Sequence, residues 1–338
     1  MRLRSLVLLL SGAALLALSF GCSSSDSSGK TVEKVFSPQN NQLDVYDVKT
    51  DEKTVLIPNT LRNVDGQVCA MPGDDGRFLV AEDIYQNKGA RQGWEIFSAD
   101  GQPIYKILEP VTEGEKEQIE PYGCVFDADR RLFVTDVGDE NFTGGNGKLI
   151  VFYPPDYSTY CLLTHSLTVS LTVALDDDGS VLVAQAVPPG QILRFSPPFP
   201  KDPTECETVK PEQSVFIQDP DLQTPSGIAR APNGNWYVSS VFLPTGINEY
   251  DHDGKLVRKV ISGDDIGNPQ GLAVASDGTI YYADLGLETK PGELPGPAEG
   301  KGTVRKVTFD AQGNAQTPVV IGSGYDFPDA VSILMVKE

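Results

Sequence analysis

Short apolar runs alternating with polar residues recur through most of the chain, separated by Asp-Gly, Asn-Gly or similar pairs. Alternation with period two marks strands in a sheet, and the intervening pairs supply the turns of hairpins. Four segments align on this pattern without gaps: Pro121–Asp136, Pro225–Ser240, Pro269–Asp284 and a looser Ser170–Gln185. A fifth, Gln67–Glu82, keeps the order of the runs but lacks the opening Pro and Gly. Each reads as two strands around a tight turn. Further strand-like segments lie between the copies, one regularly opening on a glycine, as in Gly93–Phe97, Gly147–Phe152, Gly246–Tyr250 and Gly302–Val307. A unit of roughly 50 residues with four strands has the size of a propeller blade.

The ends of the chain pose a closure problem. Pro328–Leu334 opens a sixth copy but supplies only an innermost strand, while Val32–Phe36, Leu43–Val48 and Lys53–Pro58 are strand-like with no repeat of their own. One C-terminal and three N-terminal strands complete a sixth blade, which joins the ends and removes an open sheet edge. The expected fold is all-β, a single six-bladed propeller of four-stranded blades over residues 32–338. Two β-sandwiches would each need a separate core, and the near-uniform period argues against them.

The Pro-x-Gly opening, the Asp-Gly turn and the closing Tyr-Val-(small)-Asp resemble NHL repeats. They also resemble the gluconolactonase, senescence-marker and luciferin-regenerating family of six-bladed propellers, over roughly residues 32–338. For its enzymes the resemblance implies a divalent metal held in the channel by Glu, Asn and Asp, several of them just before the repeat glycine. Here those positions read Val68, Tyr122, Leu171, Ser226, Gln270 and Asp329, and only Asp329 matches. One Asp among neutral side chains is a thin shell for a hard cation such as calcium. A lactonase-like hydrolase with a divergent, divalent-metal-dependent channel site is therefore the second reading rather than the first.

Residues 1–21 read as an export signal: Arg2 and Arg4 precede an apolar run from Leu6 to Leu18, and Ser19-Phe20-Gly21-Cys22 closes it with small residues around a cysteine. The run is too short for a permanent membrane span. It resembles the bacterial lipoprotein signal, with Leu18 four places before Cys22 rather than three. That resemblance implies cleavage before Cys22, its lipidation, a flexible Ser-rich tether over residues 22–31, and, from Ser23, the outer membrane. Cys69, Cys124, Cys161 and Cys206 remain, an even number suited to an oxidising compartment. Cys161 and Cys206 fall in outer segments of adjacent blades, where a disulfide would pin one to the other. Cys69 and Cys124 read equally as a bonded pair or as buried thiols.

Charge narrows the partners. The chain carries 27 Lys+Arg against 47 Asp+Glu, a net −20. This opposes nucleic acid and adhesion to anionic lipid, so membrane contact is expected through the anchor alone, and the body as a monomer. Cations, amines and neutral molecules remain. Of the two histidines, His165 falls in an outer strand and His252 in a turn, and neither suggests catalysis. No Gly-x-Ser-x-Gly, His-Glu-x-x-His or Gly-x-x-x-x-Gly-Lys motif occurs. Asp136, Asp139 and Glu140 cluster as a local calcium candidate, without EF-hand spacing.

Labelling the strands of each blade A to D outward from the channel, the B–C loops vary in length while the A–B turns hardly do. Variation confined to one face of a regular scaffold is where binding specificity sits. Strand B ends at Asp83, Asp136, Gln185, Ser239 or Ser240, and Asp284. Such aspartates can cap turns by accepting backbone N–H bonds. Taken jointly, Asp83, Asp136, Asp284 and Asp329 around one pore would make a negative mouth. The leading expectation is a non-catalytic binding or scaffold module, taking a small-molecule or protein ligand there with help from Tyr122, Ser226 and Gln270.

Overall fold

The computed structural model describes residues 30–39, 42–58, 64–73, 75–82, 92–110, 120–138, 145–187, 189–242, 244–290 and 295–337. These residues form six four-stranded antiparallel sheets, the blades of a propeller. Blade 1 comprises Val64–Ala70, Phe78–Glu82, Gly93–Phe97 and Pro103–Leu108; blade 2 comprises Pro121–Phe126, Leu132–Asp136, Gly147–Phe152 and Tyr160–Leu167. Blade 3 runs from Ser170–Leu175 to Glu212–Ile217, blade 4 from Pro225–Arg230 to Leu256–Ser262, and blade 5 from Pro269–Val274 to Val319–Tyr325. Blade 6 is composite: Ser332–Lys337 is its strand A, and Thr31–Pro38, Leu43–Asp47 and Lys53–Ile57 follow as B, C and D. The seam is an antiparallel ladder from Thr31↔Lys337 to Phe36↔Ser332. The leader and tether, Cys22 included, lie outside the described residues.

The alternation seen in the sequence sorts side chains between neighbouring blades. In strand B of blade 2, Leu132 and Val134 pack toward Leu79, Trp94 and Ile96 of blade 1. Phe133, between them, packs with Val181, Val183 and Leu193 of blade 3. Successive side chains of a strand point to opposite faces, so a strand buried on both sides must be apolar throughout and still alternates in its partners. Outer strands show the reverse: only Ile107 of Pro103–Leu108 is buried. Two short 3₁₀ turns, Pro203–Glu205 and Asp264–Ile266, are the helical elements among the described residues. None of the helices among them is long and apolar enough to cross a membrane.

Blade 1 departs from the gapless alignment. Its A–B ladder pairs Val68 with Val80, where blade 2 pairs Cys124 with Val134. The turn from Met71 to Arg77 is longer than that from Asp127 to Arg131, which displaces strand A along the ladder. Val68 thus sits deeper than the place assigned to it beside the repeat glycine. The mouth position of this blade falls instead in the bulge holding Asp65 and Gly66. Gly66 has φ +65°, and a Cβ there would collide with the Tyr122 carbonyl oxygen, a demand glycine meets without strain.

Two disulfides link consecutive blades. Cys69–Cys124 joins the inner strands of blades 1 and 2, and Cys161–Cys206 joins strand D of blade 2 to the segment just after Pro203–Glu205 in blade 3.

Candidate functional site

At the ends of strands B the chain repeats a polar fastening. Asp136 accepts the backbone N–H groups of Glu120 and Gly138, both at 3.0 Å, and meets Lys148 Nζ at 2.9 Å. Asp284 accepts those of Asn268 at 2.7 Å and Gly286 at 3.0 Å, with Thr303 Oγ1 donating at 2.9 Å and Arg305 at 2.7 Å. Each carboxylate ties the entry of its blade to the start of the B–C loop and is neutralised from strand C. Gln185 receives Gln191 Nε2 at 2.7 Å in the same place, and Ser240 shares a hydrogen bond with Thr224 Oγ1 at 3.1 Å. In blade 1 the position falls on Glu82, which pairs with Lys106. Asp83 lies outside the described residues, as do Asp139 and Glu140.

Asp136 and Asp284 therefore do not line the mouth as free charges. They are 0% and 2% exposed, and their lone pairs are spent on N–H donors and cations. Lys148 also meets Glu109 at 3.3 Å. Burial first, and then the Asp136 charge, hold the Glu109 carboxyl well above the usual carboxylate range. Ser226 is likewise structural: its hydroxyl donates to the Gln270 carbonyl at 2.7 Å and contacts Ser239 Oγ at 3.1 Å. His165 and His252 are exposed.

The carboxylates that do meet in the channel are Asp329 and Asp65. They lie on inner strands or their entries in blades 6 and 1, and their carboxyl groups are placed to hydrogen-bond once one of them holds a proton. A bond between two carboxyls requires a proton on one of them. Burial raises the Asp65 pKa to about 6. Burial, and then the Asp65 charge, raise Asp329 further. Tyr122, pushed up by burial and then by Asp329 and Asp65, sends its hydroxyl to the Asp329 carbonyl at 3.1 Å, and Gln270 hydrogen-bonds toward both residues. Among the described residues no Lys or Arg figures among the groups acting on either carboxyl, and the Glu120 charge pushes Asp329 up further. Both residues are buried, Asp65 at 8% and Asp329 at 2% exposure.

The channel is bridged just below this pair. Gln67 reaches from blade 1 to accept Cys124 N–H at 3.2 Å and Val173 N–H at 3.4 Å, and donates to the Val173 carbonyl at 3.2 Å. This strut joins the inner strands of blades 1, 2 and 3. Among the described residues no group of three or more His, Cys, Asp or Glu side chains is placed to hold a metal ion. A cleft of about 480 Å³ on the opposite face includes Arg131 and Lys201. Arg131 is already bonded to Asp127 at 2.7 Å and to the Pro200 carbonyl at 3.0 Å.

Of the expected site residues, the structure brings Tyr122, Gln270 and Asp329 together and sets Asp136, Asp284 and Ser226 apart as fastenings. It adds Asp65, which the sequence alignment passed over. An aspartate directly before Gly66 was the available signal, the same position that marks Asp329, Gln270 and Tyr122 before their own small residues.

No protein-family model matches the chain, and no curated protein matches it. Solved structures do. A protein of unknown function from Bacteroides caccae aligns with TM-score 0.54 and 12% identity, over 90% of this chain and 99% of that one. A luciferin-regenerating enzyme aligns with TM-score 0.55 and 11% identity, over 86% of this chain and 88% of that one. At such identities the likeness is one of fold, which many unrelated activities share.

Proposed function

We propose that this protein is an exported, lipid-anchored binding module that takes a small ligand bearing a cationic or multiply hydrogen-bond-donating group at the Asp65–Asp329 mouth of its channel. The observation that carries this reading is a pair of buried carboxyls on which no cationic side chain acts among the described residues, in a molecule whose strand-end aspartates are matched by Lys148 and Arg305. A buried acid without a counter-charge costs folding energy that a bound cation returns. The lipoprotein-like leader and the Ser-rich stretch after Cys22 support placement at the bacterial cell envelope, in the outer membrane. The described donors do not make a metal shell: two carboxyls, an amide and a phenol fall short of the six to eight oxygens calcium takes. An organic ammonium, whose N–H groups the two carboxyls can accept, fits better. The test is a thermal-shift and calorimetric screen of amines, with CaCl₂ and ZnCl₂ alongside. Binding that Asp329→Asn abolishes supports the site; amine binding that survives it sinks the assignment.

A second reading, a lactonase-like hydrolase, has one observation in its favour: a hydrogen-bonded carboxyl pair keeps one member protonated and the other ionised. Such a pair can supply acid and base to one substrate. Lactone hydrolysis that is lost in Asp65→Asn would favour it over simple binding.

A further inference from the structure

The topology of the seam fixes which end of the propeller the tether leaves from. Strand A of every blade runs from the mouth toward the A–B turn, and strand B returns. In blade 2 the far end of this ladder, Phe126↔Leu132, is closed by the turn from Asp127 to Arg131. In blade 6 the same end is Thr31↔Lys337, where the turn is replaced by the entering and departing chain. Thr31 therefore emerges on the turn face, opposite Asp65 and Asp329.

Chain length then limits the orientation. Eight residues lie between Cys22 and Thr31, so the nine steps from one to the other reach about 30 Å at full extension. For the mouth to face the bilayer, this segment would start at strand B and pass strands C and D, about 10 Å at the strand spacing. It would then climb the blade, about 25 Å for strands of this length. The sum exceeds the reach even of a taut chain.

We infer that the propeller stands on its turn face toward the bilayer that holds the anchor, with the Asp65–Asp329 mouth directed away from it. The inference rests on the reading of Cys22 as lipidated. It deepens the proposed function by naming the source of the ligand: a water-borne molecule arriving from the aqueous compartment, rather than a lipid lifted from the supporting leaflet.

The test uses the full mature lipidated protein in vesicles of phosphatidylethanolamine and phosphatidylglycerol carrying an acceptor dye on a headgroup lipid. A donor dye is placed by Gln312→Cys on the turn face or Asp264→Cys on the mouth face, both exposed positions. Energy transfer at least twofold greater from position 312 than from position 264 is expected. Equal transfer, or the reverse order, overturns the orientation while leaving the anchor intact. Failure of the protein to float with the vesicles, matching a Cys22→Ala control, overturns the anchor and the orientation with it.

Discussion

Asp136 and Asp284 at the strand ends, and Asp65 and Asp329 at the channel mouth, are all buried carboxyls on the same scaffold, yet the chain answers them in opposite ways. Each strand-end aspartate accepts two backbone N–H groups and meets a cation from strand C. The mouth aspartates are answered mainly by each other. Fastenings of the first kind hold a blade entry to its own loop and return their desolvation cost in hydrogen bonds. A pair of the second kind weakens the fold at neutral pH, a cost that the proposed ligand would offset. Burial alone does not separate the two sets of acids; the groups they meet do.

The sharpest way to break that contrast is Asp284→Ala. The substitution leaves the half-buried Arg305 without its carboxylate and deprives the Asn268 and Gly286 N–H groups of an acceptor. A loss of about 3–5 kcal/mol is expected from urea denaturation. Asp136→Ala should cost less, because Glu109 remains beside Lys148 at 3.3 Å. Equal losses would show that Glu109 does not share the lysine. A loss in Asp284→Ala no larger than a surface substitution would collapse the distinction between the two sets.

The mouth should respond with the opposite sign. Asp65 has its folded pKa raised to about 6, against about 4 for an unfolded aspartate. Below pH 4 both states hold the proton and nothing is lost. As pH rises from 4 to 6 the unfolded chain ionises first, so stability falls across that window. Asp329, held higher still, extends the fall upward. Asp329→Asn removes one of the competing charges and keeps a side chain able to hydrogen-bond Asp65. It should therefore be more stable than the wild type by about 2 kcal/mol at pH 8, with the gain vanishing near pH 4. Melting curves at both pH values check this, and a destabilised Asp329→Asn at pH 8 would place these two acids with the fastenings.

The same contrast marks what could be read from the chain before its structure. Blade count, strand order and the composite sixth blade follow from period-two alternation and from unpaired strands at both ends, signals that local sequence carries. The variable face was read from the lengths of the B–C loops, and Tyr122, Gln270 and Asp329 from counting back from the repeat glycine. Asp65 did not, because the longer turn from Met71 to Arg77 slid strand A of blade 1 against its partner, and turn length is invisible to a gapless alignment. Asp136 and Asp284 looked like mouth residues because they end strands. Their counter-ions Lys148 and Arg305 sit one strand away in space but twelve or more residues along the chain. Pairing across strands depends on register, which an isolated strand does not announce.

Tyr122 lies between the two sets and carries the smallest expected effect. Its hydroxyl crosses from blade 2 to the Asp329 carbonyl at 3.1 Å, but that carbonyl also accepts the Gly271 N–H at 3.1 Å. Tyr122→Phe therefore leaves no buried acceptor stranded, and the ring keeps its packing against Val137, Val169 and Leu171. A loss of about 0.5–1.5 kcal/mol is expected, the net worth of one hydrogen bond, and it should be the same at pH 4 and pH 8. Uniform loss identifies the hydroxyl as a strut between blades 2 and 6. A loss that grows with pH would instead mean that the hydroxyl helps hold the shared proton, and the mouth would then be a three-membered acid network rather than a pair of carboxyls.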